Sequence, residues 1–355
     1  PPPPPPPPAP PAPPPNPPRL LAEVLAASAA ITRARASQAR PSAAPRRYLY
    51  DRLADYPQRG GTRMRPTLCR ATARAFGAPL EDALYSAVAI ELLHNALLIH
   101  DDIEDGSEER RGRPTLHRLH GVPLAINAGD ALILHSLRPL IDNVERLGPR
   151  LAMNILDDAQ RMAWDSAEGQ AMELGWRRDN TTELSDGDYL TMVLKKTCWL
   201  ATILPSRVGA LIGTRNRIHL EPFIRFGFFL GAAFQIQDDL LNLVADTRYG
   251  KEACGDLYEG KRTLMLIHSY RHSTAAERER IADMLRSPRA ERTRQQIDWL
   301  RSLMAQAGSV DYARAIAHGL AGAAQHEYEG IFSRLPDSRD KAFIQGLVTW
   351  VFERI

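Results

Sequence analysis

The sequence predicts an all-α protein folded as a single large helical bundle. Long segments carry apolar residues at helical spacing, whereas the alternating runs of β-branched residues that indicate strands are few. The chain has 355 residues, which is enough for one large domain with a substantial buried core. No internal repeat of solenoid length is visible, so we expect one core rather than an extended array.

The composition excludes several other classes of protein. Hydrophobic residues make up 44% of the chain and charged residues 25%, which is typical of a soluble globular protein. No segment has the roughly 18 uninterrupted apolar residues of a membrane-spanning helix, and the first residues lack a signal-peptide pattern. The three scattered cysteines fit neither a disulfide framework nor a zinc site. We therefore expect a cytoplasmic protein.

The charge of the chain is nearly balanced. A net charge of +3 results from 45 basic and 42 acidic residues, so the overall field gives no reason to expect nucleic acid as a partner. Only five of the basic residues are lysines. Because arginine is the usual cation of this chain, each lysine indicates a position that requires a compact ammonium group.

The first segment, residues 1–18, contains 15 prolines. Such a sequence lacks amide donors and favours an extended polyproline helix over a packed core. We expect residues 1–18 to be a proline-rich linker or a disordered tail, and residues 19–355 to form the folded domain. A linker would join this domain to an upstream domain. The composition fits a linker and a disordered tail equally well.

Helical periodicity is clearest in several long segments, which clusters of Gly, Pro and Asn separate. These segments are 20–36, 81–105, 150–171, 186–213, 223–243 and 275–307.

An acidic cluster lies at the end of one long apolar segment. Residues 94–117 read HNALLIHDDIEDGSEERRGRPTLH, and Asp101 and Asp105 lie on one helix face because they are four residues apart. Two such carboxylates repel each other unless a cation lies between them, and hard oxygen ligands of this kind suit Mg²⁺. Taken alone, the pattern is more typical of a solvated acidic helix end.

A second acidic cluster makes the metal interpretation stronger. Residues 234–243 read FQIQDDLLNL, which places Asp238, Asp239 and Asn242 at the polar end of an apolar helix. Two helices of this kind that face each other across a bundle would form a multi-metal site for a diphosphate.

Basic residues accompany both acidic clusters. Arg110 and Arg111 follow the first cluster, Lys251 and Lys261 follow the second, and Lys196 and Thr197 lie between them. Upstream, residues 60–66 read GGTRMRP, which places a flexible backbone next to two guanidinium groups that suit a second phosphate. Any one of these cations alone would be an ordinary surface charge.

Taken in order, these motifs resemble those of the trans-isoprenyl diphosphate synthase (polyprenyl synthetase) family, from about residue 20 to the C-terminus. Asn242 and the stretch 169–180 look most like eukaryotic-type geranylgeranyl diphosphate synthases. The matching motifs are GGxRxRP at 60–66, HxxxLxHDDxxD at 94–105, RRGxPxxH at 110–117, GQ at 169–170, KT at 196–197, FQxxDD at 234–239 and GDLYEGKRT at 255–263.

The resemblance implies an isoprenoid synthase-type bundle with a central active-site cavity, and it identifies residues 19–355 as a prenyl diphosphate synthase domain. It implies a Mg²⁺-dependent prenyltransferase that joins isopentenyl diphosphate to dimethylallyl, geranyl or farnesyl diphosphate. Geranylgeranyl diphosphate is the expected product, made by this chain alone or by one domain of a bifunctional terpene-biosynthetic protein. A homodimer or larger homo-oligomer is expected as well.

The resemblance also implies roles for individual residues. The expected metal ligands are Asp101, Asp102, Asp105 and Asp238. The expected contacts with the allylic substrate are Arg110, Lys196, Thr197, Gln235, Lys251 and Lys261, and those with isopentenyl diphosphate are Arg65, His94 and Arg111. The expected catalytic set is Asp101, Asp105, Lys196, Gln235 and Asp238.

The chain departs from the family pattern at two positions. Thr62 stands where the family usually has lysine, which either weakens binding of isopentenyl diphosphate or leaves Arg63 to replace the missing cation. Glu173 stands where the family usually has aspartate, which moves the charge by one methylene, on the order of 1 Å.

An apolar tunnel below the first aspartates is expected to set the length of the product. Ala96 and Leu97 fall on or near its face, and neither is an aromatic plug, which favours a product longer than farnesyl diphosphate. Ile126, Ala131 or Leu134 on the next helix are expected to close the tunnel at greater depth.

Two other interpretations remain open. A class I terpene cyclase also pairs two acidic helices, but the stretch LVADTRYG after Asn242 does not supply the usual Asn/Asp, Ser/Thr and Glu triad. A catalytically weak regulatory subunit would explain the departures at Thr62 and Glu173, although both aspartate motifs are intact.

Overall fold

A computed structural model describes residues 45–244 and 254–353 of the chain, and helices dominate both ranges. The predicted all-α helical bundle is confirmed. The predictions for residues 1–18, for a helix at 20–36 and for Lys251 lie outside the described residues.

The helices vary from one turn to 30 residues in length. They are α1 (Met64–Ala75), α2 (Leu84–Glu104), α3 (Leu116–His120), α4 (Val122–Leu147), α5 (Pro149–Arg178), α6 (Asp186–Val193), α7 (Leu204–Thr214), α8 (Glu221–Val244), α9 (Gly255–Glu259), α10 (Leu264–His272), α11 (Ala275–Arg286), α12 (Arg294–Gln306), α13 (Ser309–Phe332) and α14 (Arg339–Glu353).

Short elements connect these helices. Short helical segments at Arg46–Tyr50, Asp51–Leu53 and Asp55–Gln58 precede α1, and 3₁₀ turns lie at Leu80–Ala83 and Arg289–Glu291. A π-helical segment, Leu194–Ile203, which we call the π segment, joins α6 to α7. Strands β1 (Glu109–Arg110) and β2 (Arg113–Pro114) form an antiparallel hairpin in which Arg110 pairs with Arg113.

Local sequence explains where several helices begin. Gly148 alone separates α4 from α5, and its φ of 83° is a conformation that favours glycine. Pro149 then begins α5, where its missing N–H group has no cost. The predicted segment 275–307 is two helices, α11 and α12, because Pro288 restricts the residue before it and interrupts the helical pattern.

Helix α2 packs mainly against α4. The stretch Leu80–Glu104 is long and apolar enough to cross a membrane, judged by length and composition alone. However, 61% of its most apolar window is buried within the protein. Much of this helix is therefore packed inside the bundle, and it carries the first acidic cluster at its C-terminal end.

The backbones of α5 and the π segment approach each other closely at Gly169. A Cβ atom on Gly169 would lie 2.3 Å from the backbone nitrogen of Lys196, which is closer than any real van der Waals contact. The GQ motif at 169–170 thus has a packing explanation, since only glycine allows Lys196 to approach α5 at this distance.

Replacing Gly169 with alanine should lower the free energy of unfolding by about 1–3 kcal/mol, because the added methyl group overpacks the contact with the π segment. Gly175 on the same helix is a matched control, since no atom lies within 4 Å of its would-be Cβ. Gly175→Ala should stabilise the helix by up to about 1 kcal/mol. Urea unfolding measures both values, and equal effects of the two substitutions would contradict the packing explanation.

Candidate active site

A cavity of about 1030 Å³ lies between the helices of the bundle. The two acidic clusters meet there, because Asp101 from α2 and Asp238 from α8 both line this cavity. Most of the other predicted site residues line it too: Arg65, His94, Arg110, Arg111, Lys196, Thr197, Gln235 and Lys261. Asp102 and Asp105 lie behind the surface of the cavity.

Two cationic side chains lie close to Asp101 at the wall of the cavity. The Lys196 Nζ atom is 3.1 Å from Asp101 Oδ1, and the guanidinium of Arg110 is 3.5 Å from Asp101 Oδ2. The sequence predicted that clustered carboxylates would repel each other unless metals lay between them. In the structure, side-chain cations lie beside these carboxylates and offset that repulsion.

Asp105 is buried and also has two cationic neighbours. The Arg177 guanidinium donates a hydrogen bond to Asp105 Oδ1 at 2.5 Å, and Lys261 Nζ lies 2.8 Å from Asp105 Oδ2. Burial raises the pKa of Asp105 to about 6, although the charge of Lys261 opposes this shift. Lys261 also contacts Glu259 at 2.7 Å, and these carboxylates raise the pKa of Lys261 despite its burial.

Asp102 is placed differently from its neighbour Asp101. Its side chain is fully buried, and its Oδ2 atom accepts a hydrogen bond from the Tyr56 hydroxyl at 2.5 Å. The Nε atom of Arg110 donates to Asp102 Oδ1 at 3.0 Å. Burial and the nearby Asp102 charge raise the pKa of Tyr56, so its hydroxyl stays protonated and donates. The role of Asp102 as a metal ligand stays a prediction.

The second acidic cluster resembles the first but reaches the cavity with both aspartates. Asp238 and Asp239 line the cavity, and Asp239 is largely buried and accepts hydrogen bonds from the Tyr189 hydroxyl and from Gln235 Nε2, both at 2.8 Å. Burial, reinforced by the charge of Asp256, raises the pKa of Asp239 to about 8. In each acidic pair, therefore, the first aspartate lines the cavity and a tyrosine hydroxyl contacts the second, of which only Asp239 also lines the cavity.

Two amide side chains connect the second cluster to its surroundings. Gln235 Oε1 accepts a hydrogen bond from the Thr197 hydroxyl at 3.0 Å, which links α8 to the π segment. Asn242 Oδ1 accepts one from the backbone N–H of Asp256 at 3.0 Å, which holds the start of α9 beside α8. Asn242 is buried, and its hydrogen bond holds the segment that begins at α9 next to the cavity.

Glu173 carries the same negative charge as the aspartate that is usual at this position of the family pattern. Its carboxylate accepts a hydrogen bond from Lys196 Nζ at 2.8 Å. Burial would raise the pKa of Glu173, but Lys196 and Lys261 lower it below its usual value, so the carboxylate stays ionised. Burial would likewise lower the pKa of Lys196, and the carboxylates of Asp101 and Glu173 raise it instead.

Arginine side chains and His94 also line the cavity. Burial lowers the pKa of Arg65 to about 10, although Glu91 opposes the shift, so the guanidinium remains charged at neutral pH. Burial and the charges of Arg65 and Arg111 lower the pKa of His94 well below its usual value. The His94 imidazole is therefore neutral at pH 7.

Arg63 turns inward and lines the cavity beside Thr62. Its guanidinium donates a hydrogen bond to the Pro57 carbonyl at 2.8 Å and lies 3.9 Å from Glu91. Of the two alternatives for the departure at Thr62, this geometry favours replacement of the missing cation by Arg63.

The hairpin that carries Arg110 and Arg111 is held by Arg59, whose side chain is completely buried. The Arg59 guanidinium donates to the backbone carbonyls of Arg110 at 3.2 Å, Arg113 at 3.3 Å and Pro114 at 2.9 Å. Arg59 therefore fixes the position from which both predicted substrate contacts reach the cavity.

Sequence reasoning missed Tyr56, Arg59, Arg177 and Tyr189. Their roles depend on partners that are distant in the chain, as with Arg177 and Asp105, which are 72 positions apart. Arg177 was the most visible of them, as part of an arginine pair at the end of α5, but that pattern is also typical of an ordinary helix C-terminus.

The apolar wall of the cavity differs in part from the prediction. Leu97 lines it as expected. Ala96 does not, because it is fully buried in the contact between α2 and α4. Consecutive helix residues point about 100° apart, so Ala96 and Leu97 face different neighbours. The predictions for Ile126 and Leu134 were wrong, because both are exposed.

The residue of α4 that reaches the cavity is Ile133, whereas Ala131 packs partly buried against the α2–α4 contact. Leu93 and Leu97 from α2, Leu174 from α5 and Leu200 from the π segment complete much of the apolar wall.

Comparisons with known proteins agree with this site. The polyprenyl synthetase family model matches residues 46–304. The geranylgeranyl pyrophosphate synthase of Geoglobus acetivorans is 31% identical over 306 residues, which cover 86% of this chain and 91% of that protein. The expected likeness to eukaryotic-type enzymes is not confirmed, since curated relatives such as this one are archaeal.

Solved structures share the same fold. The geranylgeranyl pyrophosphate synthetase of Pyrococcus horikoshii Ot3 has a TM-score of 0.78 and 30% sequence identity, and the match covers 95% of this chain and 99% of that chain. A polyprenyl synthase from Caulobacter crescentus CB15, complexed with calcium and isoprenyl diphosphate, has a TM-score of 0.76 and 26% identity, with 95% and 98% covered.

Proposed function

Because this chain belongs to the polyprenyl synthetase family and is a prenyltransferase, we propose that it joins isopentenyl diphosphate to an allylic diphosphate and yields geranylgeranyl diphosphate. The observation that carries the proposal is the single cavity that Asp101 and Asp238 line from different helices, with cations on both sides. The synthases from Geoglobus acetivorans and Pyrococcus horikoshii support geranylgeranyl diphosphate as the product.

We propose Mg²⁺ as the cofactor, held by Asp101, Asp105 and Asp238. Among residues 45–244 and 254–353, no three His, Cys, Asp or Glu side chains are grouped so as to hold a metal ion on their own. This donor set fits Mg²⁺, which takes much of its coordination shell from water and substrate phosphates. Bound Mg²⁺ would stabilise the negative charge of the departing pyrophosphate. The calcium in the Caulobacter crescentus relative supports a divalent cation here.

Lys196 and Lys261 would bind the allylic diphosphate beside the acidic clusters. Breaking the allylic carbon–oxygen bond leaves a delocalised carbocation and pyrophosphate, and fixed cations stabilise the charge that develops on the pyrophosphate. The double bond of isopentenyl diphosphate then attacks the carbocation, and the proton lost from the new chain passes to the pyrophosphate. Gln235 and Thr197, which are hydrogen-bonded to each other, would orient the allylic group.

The basic part of the cavity would bind isopentenyl diphosphate through Arg63, Arg65 and Arg111, with neutral His94 as a hydrogen-bonding partner. Arg63 and Arg65 each have a buried guanidinium nitrogen that has no hydrogen-bond partner among the described residues. Buried donors without partners are costly, so an incoming phosphate would satisfy them.

The purified chain should consume radiolabelled isopentenyl diphosphate in the presence of Mg²⁺ and dimethylallyl, geranyl or farnesyl diphosphate. Chelation by EDTA should abolish the reaction, and added Mg²⁺ should restore it. Asp101→Asn should lower kcat by about 10²-fold or more, because it removes a proposed ligand of the Mg²⁺ that would stabilise the charge on the departing pyrophosphate. Radiochemical product analysis measures all of these effects.

The same assay separates the alternatives. A hydrocarbon product from geranylgeranyl diphosphate without isopentenyl diphosphate would indicate a terpene cyclase. Absence of turnover with every allylic starter, in a folded protein, would indicate a regulatory subunit.

Leu97→Phe should shorten the main product, because the larger side chain would fill the apolar part of the cavity below Asp101. Met153→Phe is the control, since Met153 is exposed on α5 and should leave chain length unchanged. Mass spectrometry of the dephosphorylated products measures the length. An unchanged product for Leu97→Phe would contradict this position for the prenyl chain.

We also propose that the enzyme is a homodimer whose interface includes the exposed face of α4. That face carries six exposed apolar residues at helical spacing, with Asp130 between Ile126 and Leu134, and Leu134 is 68% exposed. Exposed apolar residues grouped in this way mark a protein interaction surface. The six residues are Val122, Ile126, Leu134, Leu137, Ile141 and Val144.

Leu134→Glu should shift the protein from dimer towards monomer, because the substitution places a charge in the apolar contact. Ala276→Glu, at an exposed position of α11, is the control and should leave the mass unchanged. Light scattering after size-exclusion chromatography measures both masses, and a monomeric wild-type protein would overturn the proposal.

Two expectations from the sequence stay proposals. We place the enzyme in the cytoplasm, on the basis of its composition and of a core helix that is mostly buried. The proline-rich residues 1–18 would serve as a linker to an upstream domain or as a tail of the synthase domain 19–355.

A further inference from the structure

In both acidic pairs of the cavity the second aspartate is buried, although the pairs lie on different helices. Asp101 and Asp238 line the cavity, and of the residues that follow them Asp239 also lines it, whereas Asp102 does not. Adjacent residues on a helix point about 100° apart. Holding the second aspartate therefore fixes the direction in which the first one points.

One tyrosine hydroxyl holds each buried aspartate. Tyr56, on the short helix Asp55–Gln58, donates to Asp102 Oδ2 at 2.5 Å, and Tyr189 on α6 donates to Asp239 Oδ2 at 2.8 Å. Both tyrosines are 1% exposed. Each hydroxyl comes from outside the acidic helix that it contacts, so it connects the end of that helix to the rest of the fold.

We propose that Tyr56 and Tyr189 are positioning residues, whose hydroxyls hold Asp102 and Asp239 in place so that Asp101 and Asp238 face the metal and diphosphate site. The inference rests on the proposed Mg²⁺-dependent function. Groups that hydrogen-bond to metal-binding side chains or their supports affect metal affinity as the ligands themselves do.

Geometry explains why both pairs need such a contact. Without Tyr56, Asp102 keeps Arg110 as a partner, but Arg110 also contacts Asp101 and cannot fix the two carboxylates independently. Without Tyr189, Asp239 keeps only Gln235 among the contacts described above, and Gln235 is itself a proposed substrate contact. Neither tyrosine is among the proposed substrate contacts, although Tyr189, unlike Tyr56, lines the cavity.

The test compares Tyr56→Phe and Tyr189→Phe with the control Tyr328→Phe. Tyr328 is also buried and donates its hydroxyl to the Lys341 carbonyl at 3.3 Å, on the α13–α14 side of the fold. Each variant loses one buried hydroxyl and retains the ring, so Tyr328→Phe controls for the general effect of losing such a hydroxyl on stability.

Two readouts report on the site itself. Calorimetric titration of Mg²⁺ into the full chain with inorganic pyrophosphate should show about ten-fold weaker binding for Tyr56→Phe and Tyr189→Phe. The Mg²⁺ concentration that gives half-maximal activity should rise by a similar factor, and the KM for isopentenyl diphosphate should stay the same. Tyr328→Phe should change neither quantity.

The outcomes distinguish this inference from the proposed function. Unchanged Mg²⁺ binding in both tyrosine variants, with stability lowered as in Tyr328→Phe, would show a merely structural role and overturn the inference. Failure of the wild-type chain to consume isopentenyl diphosphate would overturn the proposed function. The calorimetric comparison would still decide whether the tyrosines position the acidic pairs.

Discussion

The structure depends on the pairing of buried carboxylates with buried cations around one cavity. Lys196 lies between Asp101 and Glu173, and Lys261 lies beside Asp105 and Glu259. A buried charge that loses its partner destabilises a protein strongly, so each of these groups requires the others. The same pairing leaves lysine ammonium groups at the cavity wall, where an anionic substrate can reach them.

The scaffold brings these charges together by close backbone contact and by few, specific hydrogen bonds. Gly169 lets the π segment approach α5, and Arg59 holds the hairpin of Arg110 and Arg111 through three backbone carbonyls. Lysines lie beside the aspartates of this cavity, and Arg63, Arg65 and Arg111 line it as well. In the proposed reaction these cations would share the charge of the two diphosphates.

Sequence reasoning identified the polar residues of the site better than its apolar wall. Asp101, Asp238, Lys196 and Lys261 all lie at the cavity or beside it, because polar residues at the ends of apolar helices mark positions next to a shared space. Ala96 was assigned to the wrong face, since a rotation of one residue decides what a helical side chain contacts.

The sequence alone determined the helical class, the family and most residues that face the cavity. Local periodicity indicates the helices, and the spacing of the motifs indicates the family and the site residues. Tertiary structure alone decided that Tyr56 supports Asp102, that Tyr189 supports Asp239 and that Arg177 reaches Asp105. These contacts join residues 46, 50 and 72 positions apart. No local pattern encodes them, because packing of the whole bundle sets the distance between such side chains.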